Sequence, residues 1–265
     1  MNRLSLKVVR KIVQLIAKTD LRLPGVLELD LKHMQGKGSG AGSVSIEAKM
    51  ALGFLTKSGI SKPIVLDIGA NVGKYSEAIL KVNPHATIFA FEPSAVSRKK
   101  LEQKFNGNNK VKVIPLALGN LVSTKTLWSD IYGSSLSSLT KRNLDHIGLS
   151  FDKKEQVEVV TLDSWTNTSR IIPDLIKIDV EGHELDVLRG GVETLSLARV
   201  VQFEFGGCNI DTRTFFQDFW YLLTGVGFII YRISNSRTIR ILNYSEEDEY
   251  FSTTNYLAVK EHFSI

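Results

Sequence analysis

A chain of 265 residues is long enough for one large α/β domain with a small appendage, and too short for two full-size catalytic domains. Its 43% hydrophobic and 23% charged residues exclude global disorder, and no apolar run reaches the roughly 18 residues needed to cross a bilayer. Cys208 is the only cysteine, which excludes an intrachain disulfide, and the N-terminus lacks a signal-like apolar core. These features predict a cytoplasmic protein.

The first part of the chain is basic. Residues 1–37 hold eight Lys or Arg against three acids and thereby carry the whole formal net charge of +5, so the remainder is neutral and does not resemble a nucleic-acid platform. Residues 3–18 predict a basic amphipathic helix, which either docks on its own domain or makes peripheral contact with a membrane surface. The Gly/Ser segment at 35–43 predicts a linker or a mobile lid. We expect an N-terminal unit at 1–45 and the main domain at 46–265.

Strands and helices alternate after a helical pattern at 45–57. Strands are predicted near 64–68, 86–91, 111–115, 174–179, 199–205, 227–233 and 254–259. Helices are predicted at about 73–82, 94–105, 183–196 and 211–225. This alternation is typical of a mostly parallel sheet covered by helices on both faces. A β insertion at about 120–165, with strands near 123–128 and 156–162 around a Ser-rich loop at 130–139, is expected to cover a pocket at the carboxyl ends of the strands.

The stretch 64–74 joins an apolar strand to a glycine turn and a helix. Its D-x-G-x-x-x-G pattern does not fit a dinucleotide fingerprint, because Asn71 stands in place of the second glycine, and Gly69 and Gly73 are too close for a P-loop. Asp67 would repel a pyrophosphate, but it suits a ligand that carries an amino group and a sulfonium. The pattern therefore favours S-adenosylmethionine over a tight turn that binds no ligand.

A second acid follows the next strand. Glu92 lies about twenty residues beyond the glycine turn, where a carboxylate can accept hydrogen bonds from both hydroxyls of a ribose. An acidic helix cap is the alternative role. The spacing from the turn favours ribose binding.

A third cluster follows the strand at 174–179. Asp179 and Glu181 are expected to face one side near the strand end, with His183 opening the next helix. Helix-capping chemistry is the structural alternative. Glu204 ends another buried strand, and a charge there needs a ligand or a partner, for which Lys177 is available.

Taken in order, these residues resemble the FkbM family of S-adenosylmethionine-dependent methyltransferases. The resemblance runs from about residue 60 to 205, and seven pieces carry it in register. They are Val65–Gly73, Phe91-Glu92-Pro93, Val113–Gly119, Gly133–Leu136, Thr161–Ser164, Ile176–Gly182 and Glu204.

The resemblance implies a class I methyltransferase fold. This Rossmann-like fold is a mostly parallel, seven-stranded sheet that ends in an antiparallel hairpin, formed here by the strands near 230 and 257. It also implies methyl transfer to a hydroxyl of a sugar or a polyketide-like natural product. Carried over by position, Gly69, Ala70, Asn71 and Gly73 are expected at the methionine part of the cofactor, Glu92 at the ribose, and Ala117 and Leu118 beside the adenine. Asp67 and Asp179 are also expected to bind the cofactor.

Methyl transfer to a hydroxyl requires a proton acceptor or a metal. Our hypothesis is that His183, Asp179, Glu181 or Glu204 accepts the proton, while Ser134 and Ser135 close over the acceptor. No motif establishes a metal site, so we predict none. The acceptor, the choice of base and the oligomeric state remain open at this level.

Two alternatives compete with this interpretation. A nucleic-acid methyltransferase commonly carries an Asn/Asp-Pro-Pro-aromatic motif after the fourth strand, and this chain has Asp179-Val180-Glu181-Gly182 there. A cofactor-binding protein without turnover is the other alternative, although no defect in the sequence demands it.

Overall fold

The computed structural model describes residues 11–15, 23–38 and 43–263. Its strands are β1 Ile64–Ile68, β2 Thr87–Phe91, β3 Val111–Ile114, β4 Ala117–Gly119, β5 Ser123–Ser129, β6 Lys153–Thr161, β7 Leu175–Ile178, β8 Val200–Phe205, β9 Phe228–Ile233, β10 Thr238–Arg240 and β11 Thr254–Lys260. Its helices are α1 Leu23–Met34, α2 Val44–Lys57, α3 Lys74–Val82, α4 Ala95–Lys104, α5 Leu162–Ser169, α6 Glu184–Arg189, α7 Val192–Leu197, α8 Cys208–Thr212 and α9 Phe216–Gly225.

An eight-stranded sheet in the order β10-β9-β11-β8-β7-β1-β2-β3 forms the centre of the described structure. Strands β8, β7, β1, β2 and β3 are parallel, and β11 runs antiparallel to both β8 and β9. The predicted mostly parallel α/β sheet with an antiparallel end is therefore confirmed. The predicted count of seven strands is wrong, because Thr238–Arg240 pairs with the outer edge of β9.

The insertion forms a small sheet of its own, in the order β4-β6-β5. Strands β5 and β6 are antiparallel and correspond to the two predicted extra strands, whereas the three-residue β4 is parallel to β6. The loop between β5 and β6 folds back on β5, where Ser138 exchanges backbone hydrogen bonds with Trp128.

Two predicted helices are each divided in the structure. The helix expected at 183–196 breaks at Gly190 and Gly191, where an added Cβ would lie 2.1 Å from the Gly119 carbonyl oxygen and 2.6 Å from a Leu162 methyl group. Close packing against the insertion thus requires glycine at the break. The helix expected at 211–225 divides into α8 and α9, because Arg213 adopts a left-handed backbone with φ +54°.

Apolar side chains cover both faces of the main sheet. One cluster packs α6, α7 and α9 on the sheet, and Phe203 stacks on Phe219 and Tyr256 at its centre. The other cluster packs α2 and α3 on the opposite face through Ala48, Leu52 and neighbouring residues. Burial on both faces fixes the strand ends, and it is at the carboxyl ends of β1, β2, β7 and β8 that the polar clusters meet.

The N-terminal predictions are described only in part. Within the predicted helix at 3–18, residues 11–15 are helical and expose Ile12 and Leu15, while the other residues of that helix lie outside the described part. Residues 39–42 of the predicted Gly/Ser segment also lie outside it. Just before them, Lys37 donates to the Glu247 carbonyl oxygen. None of the described helices combines the length and apolar character needed to cross a lipid bilayer.

Candidate active site

The turn between β1 and α3 brings the backbone close to the end of β7. Gly69 and Ala70 both donate their N–H groups to the Phe91 carbonyl oxygen, at 3.1 and 2.9 Å. Gly69 has φ +80°, and a Cβ added there would lie 1.8 Å from the Asp179 carbonyl oxygen. The turn can therefore hold this position only with glycine at 69.

Glu92 ties the turn to β2. Its carboxylate accepts hydrogen bonds from the backbone N–H of Asn71 and of Ser94, both at 2.8 Å. Burial raises the pKa of Glu92 to about 7, although these two donors lower it. Each carboxylate oxygen still has acceptor capacity for a ligand hydroxyl.

A buried lysine lies behind the turn. The Lys177 Nζ is 3.1 Å from an Asp179 carboxylate oxygen, 3.5 Å from Asp67 Oδ1 and 3.5 Å from the Gly69 carbonyl oxygen. Burial lowers the pKa of Lys177, but the carboxylates of Asp179 and Asp67 outweigh it and raise the pKa above its usual value. Among the partners recorded for the described residues, Lys177 pairs with these two acids, so the predicted pairing with Glu204 is not found.

The loop after β7 presents a second group of carboxylates. Glu181 adopts a left-handed backbone with φ +54°, and Glu184 beneath it is fully buried and accepts hydrogen bonds from the N–H groups of Val180 and Gly182. Burial, together with the nearby Asp179, raises the pKa of Glu181 to about 8 and raises that of Glu204 well above its ordinary value. These two acids hold protons more tightly than exposed glutamates do.

The insertion is fastened to this loop at its far end. Ser138 Oγ donates to the Glu181 carbonyl oxygen at 2.7 Å. Arg142 reaches the Glu181 carboxylate at 2.6 Å and that of Asp211 at 3.2 Å. Thr140 Oγ1 lies 2.9 Å from His183 Nε2. Side chains of the insertion therefore fix the position of the acidic loop.

A cavity of about 280 Å³ opens between the turn, the acidic loop and the insertion. Most of the residues that the sequence predicts for the site line it. These are Gly69, Ala70, Asn71, Glu92, Ala117, Leu118, Ser134, Ser135, Asp179, Glu181 and Glu204. One continuous space thus touches the residues expected at the methyl donor and those expected at the acceptor.

Three predicted site residues are not among the described residues that line this cavity. Asp67 is fully buried behind the turn, where it accepts a hydrogen bond from Ser76 Oγ and faces Lys177. Gly73 is the N-cap residue of α3, and a Cβ there would meet Phe105. Both ring nitrogens of His183 are engaged away from the cavity, Nε2 with Thr140 and Nδ1 with Asp186 at 2.9 Å.

The structure also brings in residues that sequence reasoning missed. Val44 and Glu47, from α2, line the cavity, as does Lys74 at the start of α3. Arg142 reaches the site from a polar loop that carries no recognisable motif. No local pattern marks Glu47 or Arg142, because their positions follow from long-range packing. Within the described part of the chain, no group of three or more His, Cys, Asp or Glu residues is arranged to hold a metal ion.

Comparison with known proteins gives consistent matches. The family model described as the methyltransferase FkbM domain matches residues 67–230. The 2-O-methyltransferase NoeI of Sinorhizobium fredii is 28% identical over 157 residues, which cover 54% of this chain and 63% of that relative. The hexuronic acid methyltransferase AglP of Haloferax volcanii is 28% identical over 142 residues, which cover 53% and 55%. The matches thus span less than two thirds of the length of these relatives.

Solved structures are matched at low identity and with TM-scores below 0.5. The crystal structure of Methyltransferase FkbM from Methylobacillus flagellatus KT is matched with a TM-score of 0.45 and 14% identity, over 75% of this chain and 44% of that one. A magnesium protoporphyrin IX methyltransferase from Synechocystis PCC 6803, with bound SAM, is matched with a TM-score of 0.44 and 14% identity, over 84% and 80%.

Proposed function

Because this chain belongs to the FkbM methyltransferase family, whose model matches residues 67–230, we propose that it transfers a methyl group to a hydroxyl of a sugar or glycan. Its cofactor is S-adenosylmethionine. One observation carries the proposal: a single cavity joins the glycine turn to three carboxylates, those of Asp179, Glu181 and Glu204. Methyl transfer to a hydroxyl needs one surface that binds the methyl donor and another that accepts the proton of the hydroxyl, and both must face the same cavity.

The residues of the turn fit the cofactor. The backbone at Gly69 approaches so closely that no side chain intervenes, and Glu92 offers acceptor oxygens for a ribose. When bound, the cofactor supplies an electrophilic methyl group on a positively charged sulfur. The acidic lining of the cavity suits that positive charge. Apolar Leu116, Ala117 and Leu118 give the adenine a non-polar surface.

The carboxylates on the other side can accept the proton of the acceptor hydroxyl. A sugar hydroxyl becomes a good nucleophile only as its proton leaves, so a base within reach lowers the barrier. Asp179, Glu181 and Glu204 all line the cavity, whereas the ring nitrogens of His183 face Thr140 and Asp186. We therefore assign proton acceptance to this carboxylate group and positioning of the loop to His183.

The charge of the lining bears on the acceptor. Five acidic residues line the cavity, namely Glu47, Glu92, Asp179, Glu181 and Glu204. Two lysines, Lys74 and Lys177, line it as well, and Lys177 is paired with acids. Burial already raises the pKa of Glu47, Glu92, Glu181 and Glu204, so these acids resist further negative charge, and a negatively charged sugar placed among them would be disfavoured. We therefore propose an uncharged sugar hydroxyl as the acceptor. NoeI is named as a 2-O-methyltransferase and AglP as a hexuronic acid methyltransferase, so methyl transfer to oxygen and a sugar-acid acceptor each occur among the relatives.

Incubation of the protein with methyl-labelled S-adenosylmethionine tests this function. The acceptor arms are neutral oligosaccharides, hexuronate-containing oligosaccharides, lipid extract and RNA. We expect label in the neutral oligosaccharides and its loss in an Asp179→Asn variant, with the exposed Glu158→Gln variant as the matched control. Label confined to RNA would refute the proposal, and preference for the hexuronate arm would refute the charge argument.

A further inference from the structure

Helix α2 places a carboxylate in the cavity from outside the matched family region. Glu47 lies in the first turn of this helix and is only 8% exposed, and it lines the cavity together with Gly69 and Tyr75. Ala48, Ala51, Leu52 and Leu55 bury the helix against the body of the protein. The position of Glu47 is therefore fixed by packing.

A chain of buried hydrogen bonds orients the Glu47 carboxylate. Gln202 Nε2, on β8, donates to Glu47 Oε2 at 2.8 Å. The other atom of the same amide, Gln202 Oε1, accepts from the Tyr75 hydroxyl at 2.7 Å. Tyr75 lies on α3 directly after the glycine turn. The carboxylate is thereby held at the turn side of the cavity.

The acids next to Glu47 already have partners, either a lysine or backbone N–H groups. Asp67 and Asp179 are both paired with Lys177, and Glu92 accepts two backbone N–H groups. Within the described structure, the Glu47 carboxylate accepts its hydrogen bond from the neutral amide of Gln202. A buried carboxylate without a paired cation is unfavourable, and burial raises the pKa of Glu47 to about 7, with Lys177 acting against that rise. A cationic ligand group would remove this penalty.

The methionine part of the cofactor carries such a group next to a carboxylate. Glu47 and Lys74 both line the cavity at the turn and offer the two signs of charge that an amino-acid zwitterion needs. Resting on the cofactor assignment above, we propose that Glu47 binds the α-ammonium group of S-adenosylmethionine. Helix α2 then completes the cofactor site, although it precedes the matched family region.

Calorimetric titration of the full chain tests the proposal with two ligands. One is S-adenosylhomocysteine, and the other is its analogue that lacks the α-amino group. Glu47→Gln is expected to weaken binding of S-adenosylhomocysteine about 10- to 100-fold, as for a lost hydrogen bond between charged groups, and to leave binding of the analogue within about 2-fold. The exposed Glu158→Gln variant is expected to match the wild type with both ligands.

The outcomes separate the proposal from the function on which it rests. Equal weakening of both ligands, or no weakening of either, would overturn the role of Glu47 while leaving the methyltransferase function intact. Failure of the wild type itself to bind S-adenosylhomocysteine would refute both.

A second measurement uses the wild type alone, in case the variant does not fold. The preference for S-adenosylhomocysteine over the amino-free analogue should fall as the pH is lowered from 8 to 5, because Glu47 then takes up a proton. Lys177 and Asp179 are the charged neighbours of Glu47, and Glu92 and Glu181, with pKa values of about 7 and about 8, also face the cavity and take up protons over this range. A ratio that stays constant over this range would overturn the proposal.

Discussion

The two halves of the cavity are built in different ways. The proposed donor half is formed largely by the backbone of the glycine turn, where the N–H groups of Gly69, Ala70 and Asn71 donate to Phe91 and Glu92, about twenty positions along the chain. The acceptor half is held by side chains, with Arg142 and Ser138 reaching the acidic loop from 39 and 43 positions away. An atom added at Gly69 would clash with the Asp179 carbonyl oxygen, whereas the contacts of the second half are made by side chains that single substitutions can change.

The largest effect is expected from Gly69→Ala. The new methyl group would lie 1.8 Å from the Asp179 carbonyl oxygen, so the turn must shift, and we expect S-adenosylhomocysteine binding to fall below detection in calorimetry. Gly59→Ala is the matched control, because Gly59 has φ +78° with nothing within 4 Å of its added Cβ. That variant should lose about 1 kcal/mol of stability through backbone strain and keep its binding. Normal binding by Gly69→Ala would refute the backbone account of the donor half.

A smaller and more selective effect is expected from Arg142→Gln. Its loss leaves Glu181 and Asp211 without their shared cation in a mostly buried setting, at a cost of about 2–4 kcal/mol in the free energy of unfolding. Turnover with the acceptor should fall at least about 10-fold, because the acidic loop loses its position. Affinity for S-adenosylhomocysteine should change by less than about 2-fold.

The exposed Arg240→Gln variant is the control for that experiment. If Arg142→Gln weakens cofactor affinity as much as turnover, the two halves are not independent and the comparison fails.

The pH dependence should separate stability from activity. The pKa of Glu181 is raised from 4.5 to about 8 in the folded protein, so folding binds a proton and the free energy of unfolding falls as the pH rises from about 4.5 to about 8. One such group contributes at most about 1.4 kcal/mol per pH unit to the free energy of unfolding.

The activity should change in the opposite direction. A carboxylate base must be ionised, so kcat/KM should rise over pH 6 to 9. Denaturant titrations measure the stability and initial rates measure the activity, each with Glu181→Gln for comparison. A pH-independent kcat/KM would exclude a base of raised pKa.

The smallest effect is expected from His183→Gln. The ring joins Thr140 to Asp186 away from the cavity, so the variant should lose about 1 kcal/mol of stability and keep turnover within about 5-fold. Thr140→Val removes the same contact from the other side and should behave alike. A drop of 100-fold in turnover with His183→Gln alone would return this histidine to the chemistry.

Local sequence determined the glycine turn and most of the sheet. Strand β1 matches the predicted 64–68, and the antiparallel end near 230 and 257 is present, because long apolar runs and glycine punctuation are local signals. Strands β4 and β10 were missed because three residues are too few to show a period. The single helix predicted at 183–196 is two helices in the structure. The break at Gly190 and Gly191 follows from close packing against Gly119 and Leu162, which the local sequence does not show.

Only the tertiary structure decided which charged groups meet. Sequence placed Asp67 at the ligand, yet the fold buries it beside Ser76 and Lys177. Sequence gave no reason to choose Glu47 or Arg142, since neither lies in a motif. Their roles follow from long-range packing, which brings α2 and the insertion to the same sheet edge. Spacing along the chain predicts strand ends, but the pairing of charges between distant segments depends on distances that exist only once the chain has folded.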